Sequence, residues 1–186
     1  MGFYSRKELM SLGFKSIGEN VLVSTKASIY APNEISLGNN VRVDDFCVLS
    51  GKISIGSYVH IAAYTALYGG ETGIRIEDFA NISSRICVYA VSDDYSGESM
   101  TNPMIPNRYK NVQHGAVLIK KHVIIGTSST VLPGVTIGEG CSFGAYSLIK
   151  ESCAAWGRYV GIPCKRIGER SKNLLSLERQ FLSEDE

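Results

Sequence analysis

The sequence predicts an all-β protein, a triangular prism built from short parallel strands. Aliphatic residues recur every six positions through most of the chain, and the residue that follows each of them is often Gly, Ser or Ala. A helix would space its apolar residues near 3.6 positions and a half-buried strand near 2, so neither explains this period. A strand of about four residues followed by a two-residue corner does explain it. Each aliphatic side chain then points to the prism axis, and each small residue fits a tight corner.

Eighteen hexapeptides follow this pattern, in four runs. The aliphatic positions are Ile17, Val23, Ile29; Leu37, Val43, Leu49, Ile55, Ile61, Leu67; Ile76, Ile82, Val88; and Ile119, Ile125, Val131, Ile137, Phe143, Ile149. Three hexapeptides make one coil, so eighteen make about six triangular coils, each stacked on the next at the ~4.8 Å spacing of strands. A sandwich of short strands would instead show turn signals every 8–12 residues.

Three interruptions break the period, and the longest is a candidate functional segment. Two extra residues lie near Pro32 and three lie near Gly70, whereas a long excursion covers residues 91–117. A long irregular loop in a compact domain is usually functional or disordered. The Tyr, Pro and Ile residues of this loop favour order, with the loop lying against another surface.

Both ends of the chain predict helices. Residues 5–12 form a short helix with Ser5 as N-cap, Glu8 three positions later and Gly13 as the stop, and we expect it to cap the first coil. Residues 169–182 carry an apolar stripe typical of an amphipathic helix, which would cover the last coil or pack between subunits. We expect residues 183–186 to be frayed. The chain thus divides into an N-terminal helical cap at 1–16, a β-helix domain at 17–166 with its loop at 91–117, and a C-terminal helix at 167–186.

Composition excludes several classes of protein. The 186 residues fit one domain, and 19 basic against 18 acidic residues leave a net charge of +1, without the surplus of a nucleic-acid binder. No apolar run approaches the ~20 residues of a membrane span, and the charged N-terminus does not resemble a signal peptide. Five cysteines without a CxxC pair indicate reduced thiols and a cytoplasmic protein.

Two segments of the repeat region resemble a known family. Ile125-Gly126-Thr127 through Leu132-Pro133-Gly134-Val135-Thr136-Ile137-Gly138, with Gly161-Ile162-Pro163-Cys164-Lys165, is similar to the hexapeptide-repeat acyltransferases. The similarity covers roughly residues 17–166 and is closest to the galactoside and maltose acetyltransferase branch, which includes bacterial surface-polysaccharide acetyltransferases. The resemblance implies a left-handed parallel β-helix, a homotrimer with active sites between neighbouring prisms, and acetyl-CoA as the donor.

The resemblance also implies residues that bind the donor. Thr127, Ala145 and Lys165 fall where the family contacts acetyl-CoA, and Arg166 is a second cation beside them. Exposed backbone groups at prism corners can hydrogen-bond the amides of a pantetheine arm, and a lysine suits a phosphate as a point charge. Ordinary solvated charge is the alternative for the two cations.

For the sugar, Ser50 falls at a position where the family contacts it, and Tyr64 is the second candidate for substrate binding. The alternative for Ser50 is a small residue that merely fits a corner.

The chain departs from the family at the catalytic group. The galactoside-type enzymes place a histidine just after the repeat that precedes the long loop, and here Asp93 and Asp94 occupy that position. His114, at the far end of the loop, is the other candidate base. His60 and His122 lie inside repeats, and we expect both to be exposed structural residues.

The absence of the family's histidine affects which acceptor group the sequence favours, a hydroxyl or an amine. A hydroxyl needs a base with a pKa near the working pH, and an ordinary aspartate at ~3.9 is a poor one. An amine is nucleophilic when neutral, and a carboxylate also attracts its ammonium form. The sequence therefore favours N-acetylation of an amino sugar, free or nucleotide-linked, for surface polysaccharide synthesis. Asp93 and Asp94 could also simply shape a turn, and then His114 could serve as base for either acceptor.

Three alternatives remain open from the sequence. The first is a sugar O-acetyltransferase of the galactoside or maltose type. The second is a zinc enzyme like the gamma-class carbonic anhydrases, which needs three converging imidazoles; because no tight histidine pair is present, we expect no metal. The third is a structural solenoid without activity, which would have no need for the polar 91–117 loop. No GxGxxG fingerprint marks a nucleotide site.

Overall fold

The computed structural model describes residues 2–184, which form a left-handed parallel β-helix flanked by two helices. The helices are α1 (Arg6–Ser11) and α2 (Leu174–Glu184), with 3-10 turns at Pro32–Glu34 and Asn107–Tyr109. The strands are β1 (Ser16–Ile17), β2 (Leu22–Val23), β3 (Ser28–Tyr30), β4 (Ile35–Leu37), β5 (Arg42–Val43), β6 (Val48–Ile55), β7 (His60–Ile61), β8 (Ala66–Ile76), β9 (Asn81–Ile82), β10 (Cys87–Tyr89), β11 (Val91–Ser92), β12 (Gln113–His114), β13 (Val117–Ile119), β14 (Ile124–Ile125), β15 (Thr130–Val131), β16 (Thr136–Ile137), β17 (Ser142–Phe143), β18 (Leu148–Ile149), β19 (Gly157–Val160) and β20 (Lys165–Glu169).

The strands stack in parallel on three faces of the prism. The first face contains β2, β5, β7, β9, β14, β17 and β19. The second contains β3, β10, β15 and β18 with the first halves of β6 and β8, and the third contains β1, β4, β13 and β16 with their second halves. The seven strands of the first face make about seven coils, so the predicted fold class is confirmed and β19 adds one coil beyond the hexapeptides recognised in the sequence.

The predicted aliphatic positions form the core. Sixteen of the eighteen are buried, and the two others, Ile17 and Ile29, are half-buried in the first coil. Equivalent residues lie in register from coil to coil, as with Ile82 opposite Ile125 and Ile125 opposite Phe143. The residues spaced by six are therefore those that face the interior of the prism, where each side chain packs on its counterparts in the coils above and below.

Where a glycine follows the aliphatic residue, as at Gly126, the close approach of neighbouring corners requires it. A Cβ added to Gly126 would lie 2.6 Å from the amide nitrogen of Ala145 in the next coil. The amide of Gly126 donates to the carbonyl of Phe143 at 2.9 Å, which fixes that separation. A larger residue would therefore have to push two coils apart.

Each face ends at a corner, and the three corners carry different features. The first corner follows the first face, at residues 24–27, 44–47, 62–65, 83–86, 126–129, 144–147 and 161–164. The second corner follows the second face and is the origin of both the 69–73 insertion and the long loop. The third corner includes Tyr58, Phe79 and His122, whose rings stack in sequence at centroid distances of 4.8 and 5.2 Å.

The N-terminal helix is confirmed as a cap. The amide of Ser5 donates to Glu8 Oε2 at 2.7 Å and the Ser5 hydroxyl accepts from the Glu8 amide, which completes the capping box. Leu9 is 1% exposed and joins the core, so α1 closes the first coil.

The C-terminal segment differs from the prediction. Glu169 ends β20, which pairs antiparallel with β19, and α2 begins only at Leu174. The helix does not cover the last coil; it lies along the third corner, where the Phe181 ring meets Tyr58 edge-on at 5.3 Å. Glu178 holds the helix in this position, because its carboxylate pairs with Lys121 and His122 on that corner. Ser183 and Glu184 are helical, and the last two residues expected to fray lie outside the described part.

All five cysteines are free thiols. Burial raises the pKa of the Cys47 thiol to about 11, so this side chain behaves as a small apolar core residue. Within residues 2–184, neither helix has the length and apolar character that crossing a bilayer would need.

Candidate active site

The first corner brings together the residues expected to bind the donor. Thr127 and Ala145 follow β14 and β17, and the amide of Tyr146 donates to the carbonyl of Thr127 at 2.9 Å. Ala145 is exposed, and Thr127 is half-buried. Its hydroxyl donates to the carbonyl of Ser84 at 2.7 Å and lies 3.2 Å from the Ser84 hydroxyl. Three successive coils thus present small polar groups and open backbone at one edge of the prism.

The two candidate cations follow the last turn of the same corner. Residues 161–164 complete the corner, and Lys165 and Arg166 begin β20 directly after it. Both are exposed. Arg166 pairs with Glu169 at 2.7 Å, whereas Lys165 makes no ion pair with another residue of the 2–184 segment. Lys165 is therefore the cation more available to an anionic ligand.

Tyr64 lies on the first corner, and Ser50 does not. The Tyr64 ring is 55% exposed and stacks on Phe46 at 5.0 Å, with the Arg85 guanidinium 5.8 Å from its centroid. Ser50 lies within β6 on the second face, opposite Tyr30 and Tyr68, so it is not the small corner residue that we considered as its alternative role. The two residues predicted to contact substrate are thus at different places on one chain.

Asp94 is held in the long loop by three hydrogen bonds. Its carboxylate accepts from the Ser96 amide at 2.9 Å, from the Ser96 hydroxyl at 2.9 Å and from the Ser99 hydroxyl at 2.7 Å. These bonds, chiefly the one from the Ser96 amide, lower the pKa of Asp94 below its ordinary value. Asp94 therefore shapes the loop, as the turn interpretation predicts, and carries a full negative charge near neutral pH.

Asp93 and His114 are less constrained. Asp93 is half-buried, and its carbonyl accepts from the Ser92 hydroxyl at 3.2 Å. His114 is exposed on β12, which pairs antiparallel with β11 so that His114 lies opposite Val91. This strand pair brings the two ends of the loop together at the second corner. Asp93 and Asp94 directly follow β11.

The loop and the donor corner lie at opposite ends of one face. The chain passes from Ser84 at the first corner through β10 to the second corner, where the loop begins. A three-residue strand spans about 10 Å. One chain therefore presents Thr127 and Ala145 on one edge and Asp94 on another.

The two other histidines have structural partners. His60 Nε2 lies 2.8 Å from Asp44, which also accepts from Arg42 at 2.7 Å. Burial alone would raise the pKa of Asp44, but the bonds from His60 and Arg42 outweigh it and hold that pKa below its ordinary value. His122 is 8% exposed, so the expectation of an exposed residue is wrong, because Glu178 and the Phe79 ring cover it.

No group of three His, Cys, Asp or Glu side chains in the described part of the chain is arranged to hold a metal ion. His60 and His122 are bound to carboxylates, and His114 lies on the loop. The zinc alternative thus has no ligand set within residues 2–184.

Comparison with known proteins agrees with this architecture. A model of the bacterial transferase hexapeptide (six repeats) family matches residues 116–151. Over 184 residues the chain is 50% identical to the dTDP-4-amino-4,6-dideoxy-D-glucose acyltransferase of Escherichia coli, a match that covers 97% of this chain and 95% of that protein. The chain belongs to the hexapeptide-repeat acyltransferase family.

Solved structures of AntD, an N-acyltransferase from Bacillus cereus, are also similar. The complex with dTDP and 3-hydroxybutyryl-CoA is 59% identical, with 98% of this chain and 97% of that chain covered and a TM-score of 0.96. A complex of its S84C variant with dTDP-4-amino-4,6-dideoxyglucose and coenzyme A has the same identity, coverage and TM-score. Other structures contain D94A and D94N variants of AntD. This chain carries serine and aspartate at the same two numbers.

Two features of the site were missed from the sequence. The first is Ser84, whose carbonyl accepts a hydrogen bond from Thr127 of the adjacent coil. The sequence could have indicated it, because Ser84 and Thr127 occupy the same corner position of the repeat. Ser96 and Ser99 hold Asp94, and a serine two residues after an aspartate in a turn was the available signal for the first of them.

Proposed function

We propose that the protein transfers the acyl group of an acyl-CoA to the amino group of a nucleotide-linked amino sugar of the dTDP-4-amino-4,6-dideoxyglucose type. The observation that carries the proposal is the 50% identity to an acyltransferase of that sugar along nearly the whole of both chains. The AntD complexes with dTDP and with the amino sugar support it. Acetyl is the acyl group that the sequence favours, and the product would enter surface polysaccharide synthesis.

The first corner serves as the donor site in this proposal. The exposed backbone of Thr127 and Ala145 offers hydrogen-bonding groups to the amides of the pantetheine arm. Lys165, which is exposed and free of ion pairs with described residues, would bind a phosphate of CoA, with Arg166 as the second cation. Tyr64 and Ser50 remain candidates for the sugar.

Asp94 would bind and orient the amine. Its carboxylate is anionic near neutral pH and attracts the ammonium form, which must lose a proton before it reacts. The neutral amine then attacks the thioester carbonyl, the C–N bond forms, the C–S bond breaks, and CoA leaves as a thiolate. The proton released from nitrogen passes to Asp93, His114 or water. Since an amine needs no strong base, the low pKa of Asp94 is compatible with this chemistry.

The active form in this proposal is a homotrimer in the cytoplasm. One chain presents the donor corner and the loop on different edges, so a neighbouring copy would supply the loop to the corner. Light scattering should give about three times the 20.3 kDa chain mass. A stable monomer at micromolar concentration would contradict the assembly.

The acceptor is tested with a panel of amino and hydroxyl sugars, free and nucleotide-linked, with acetyl-CoA and 3-hydroxybutyryl-CoA as donors. We expect release of CoA only with the amino sugars and most rapidly with the dTDP-linked one. Acylation of hydroxyl acceptors alone would overturn the proposal and favour the O-acetyltransferase alternative.

The roles in the loop are tested in the same assay with Asp93→Asn, Asp94→Asn and His114→Ala. We expect Asp94→Asn to raise KM for the amino sugar. A loss of several powers of ten in His114→Ala, with both aspartate variants nearly normal, would show that the assignment of Asp94 is wrong.

A further inference from the structure

The long loop forms a cavity of about 440 Å³, lined by residues 97–100 and 108–110. This volume is within the range of small-molecule sites, about 300–1,000 Å³. The cavity belongs to the insertion alone, because no coil of the prism contributes to its lining. It is therefore separate from the first corner and its candidate donor residues.

The lining is cationic and aromatic. Arg108 and Lys110 flank Tyr109 in sequence, and the Arg108 guanidinium lies 4.7 Å from the centre of the Tyr109 ring. Glu98 is the acidic residue of the lining, and neither cation is ion-paired with it or with any other residue between 2 and 184. Two cations against one carboxylate leave the cavity with a positive charge, and the half-exposed tyrosine ring is available for stacking.

Internal bonds hold the cavity walls together. The amide of Met100 donates to the carbonyl of Tyr109 at 2.8 Å, and Met100 and Lys110 form a parallel β-bridge. Ser99 lines the cavity and donates its hydroxyl to the carboxylate of Asp94 at 2.7 Å. Ser99 therefore links the cavity to Asp94, the carboxylate that binds the amine in the proposed function.

We propose that this cavity binds the nucleoside diphosphate of the acceptor. Arg108 and Lys110 would bind the diphosphate, Arg108 through its planar fork and Lys110 as a point charge, and Tyr109 would stack against the base. The proposal rests on the proposed function, since it concerns the nucleotide half of the same acceptor.

Coenzyme A also contains a nucleoside diphosphate, and two observations assign the cavity to the acceptor. The donor candidates Thr127 and Ala145 lie on the first corner, whereas the cavity lies in the loop. Ser99 joins the cavity to Asp94, which is the group expected to meet the amino sugar.

Calorimetric titration of the intact protein with dTDP tests the site without turnover. The variant Arg108→Gln/Lys110→Gln should weaken dTDP binding at least about tenfold, the factor that about 1.4 kcal/mol gives, and leave CoA binding within about twofold. The matched control, Lys7→Gln/Arg179→Gln, removes the same charge from exposed positions on α1 and α2 and should leave both affinities unchanged.

Single variants guard against a folding defect. Arg108→Lys keeps the charge but loses the fork, and Lys110→Gln alone removes one half-buried charge. Each should weaken dTDP binding less than the double variant, with an unchanged melting temperature. Unchanged dTDP binding in the double variant, or loss of CoA binding instead, would overturn the inference. If only the double variant has a lowered melting temperature, the dTDP affinities of the two single variants are the test. Wild-type affinity in both of them would contradict the proposed site.

The two proposals fail in different ways. A wild-type protein that binds dTDP in this cavity but acylates no amino sugar refutes the proposed function only. A wild-type protein that acylates the dTDP-linked amino sugar with the same KM in Arg108→Gln/Lys110→Gln refutes the cavity only. A selective rise in KM for the nucleotide sugar, with KM for acyl-CoA unchanged, supports both.

Discussion

Removal of the Glu178 carboxylate should detach the C-terminal helix from the prism. Glu178 is the residue that joins α2 to the third corner: its carboxylate accepts from the Lys121 ammonium and lies 2.7 Å from His122 Nε2. The side chains of Glu178 and His122 are only 11% and 8% exposed. Glu178→Ala therefore leaves a histidine and a lysine facing a partly buried gap.

The expected cost follows from those exposures. Breaking a fully buried ion pair by removing one partner costs about 3–5 kcal/mol. The Lys121 side chain is 35% exposed and regains water, so its share is small. We expect Glu178→Ala to lower the free energy of unfolding by about 2–3 kcal/mol. In a chain of this size that lowers the melting temperature by roughly 4–12 °C.

The measurement is thermal unfolding together with hydrogen exchange of the α2 amides. Glu184→Ala, an exposed glutamate on the same helix, is the matched control and should shift the melting temperature by less than about 2 °C. Glu178→Gln keeps an acceptor and should fall between the two. Equal melting curves and equal exchange of α2 in Glu178→Ala and the wild type would refute the role of this contact.

The contact also predicts a dependence on acid. Burial alone would raise the pKa of Glu178, but hydrogen bonds from Lys121 and His122 outweigh it and hold that pKa below its ordinary value of 4.5. A group whose pKa is lower in the folded state adds stability above the unfolded pKa and loses it as the pH falls through the folded pKa. The difference between wild type and Glu178→Ala should therefore be present at pH 6 and shrink below about pH 4.5.

Three further substitutions test the fold and the donor corner. Gly126→Ala should push two coils apart and raise KM for acyl-CoA, since its Cβ would meet the Ala145 amide at 2.6 Å; unchanged kinetics and melting would contradict the tight corner. Lys165→Glu should raise KM for acyl-CoA more than it lowers kcat, and no change in either would remove Lys165 from the site. Leu9→Ala should cost about 2–5 kcal/mol in chemical unfolding, because Leu9 is 1% exposed under the first coil; a loss below about 1 kcal/mol would show that α1 is not an essential cap.

The sequence was sufficient for the prism because its signal is local and repeated. Every sixth aliphatic residue faces the same axis, so one pattern specifies strand, corner and stacking together, and Ile61, Ile82 and Ile125 lie in register. The last coil was not recognised because the period of six breaks after Ile149. Tyr159 of β19 lies opposite Phe143 after only sixteen positions, whereas Phe143 lies opposite Ile125 after eighteen. Tyr159 stacks on Phe143 at 5.1 Å and so fills the axis with a ring.

The tertiary contacts of unique segments could not be read from a pattern. His122 was expected to be an exposed structural residue because it lies inside a repeat, and nothing local reveals that Glu178, 56 residues later, covers it. The same holds for α2, whose apolar stripe indicates a packed face without indicating which one. In the loop, the sequence singled out Asp93 and Asp94, whereas the cavity beside Tyr109 depends on how residues 97–100 fold back on 108–110.

The distribution of these constraints explains why the acceptor chemistry would reside in the insertion. Within the coils, a residue larger than glycine at Gly126 meets the backbone of the next coil, so this position of the corner leaves little room for a new side chain. Residues 94–110 of the loop are not bound to the coils in this way, because their bonds run among themselves, from Ser99 to Asp94 and from Met100 to Tyr109. Changes of charge or shape in the loop therefore need not disturb the stack of coils. On this basis the coils would hold the donor, which the family shares, and the loop would select the acceptor.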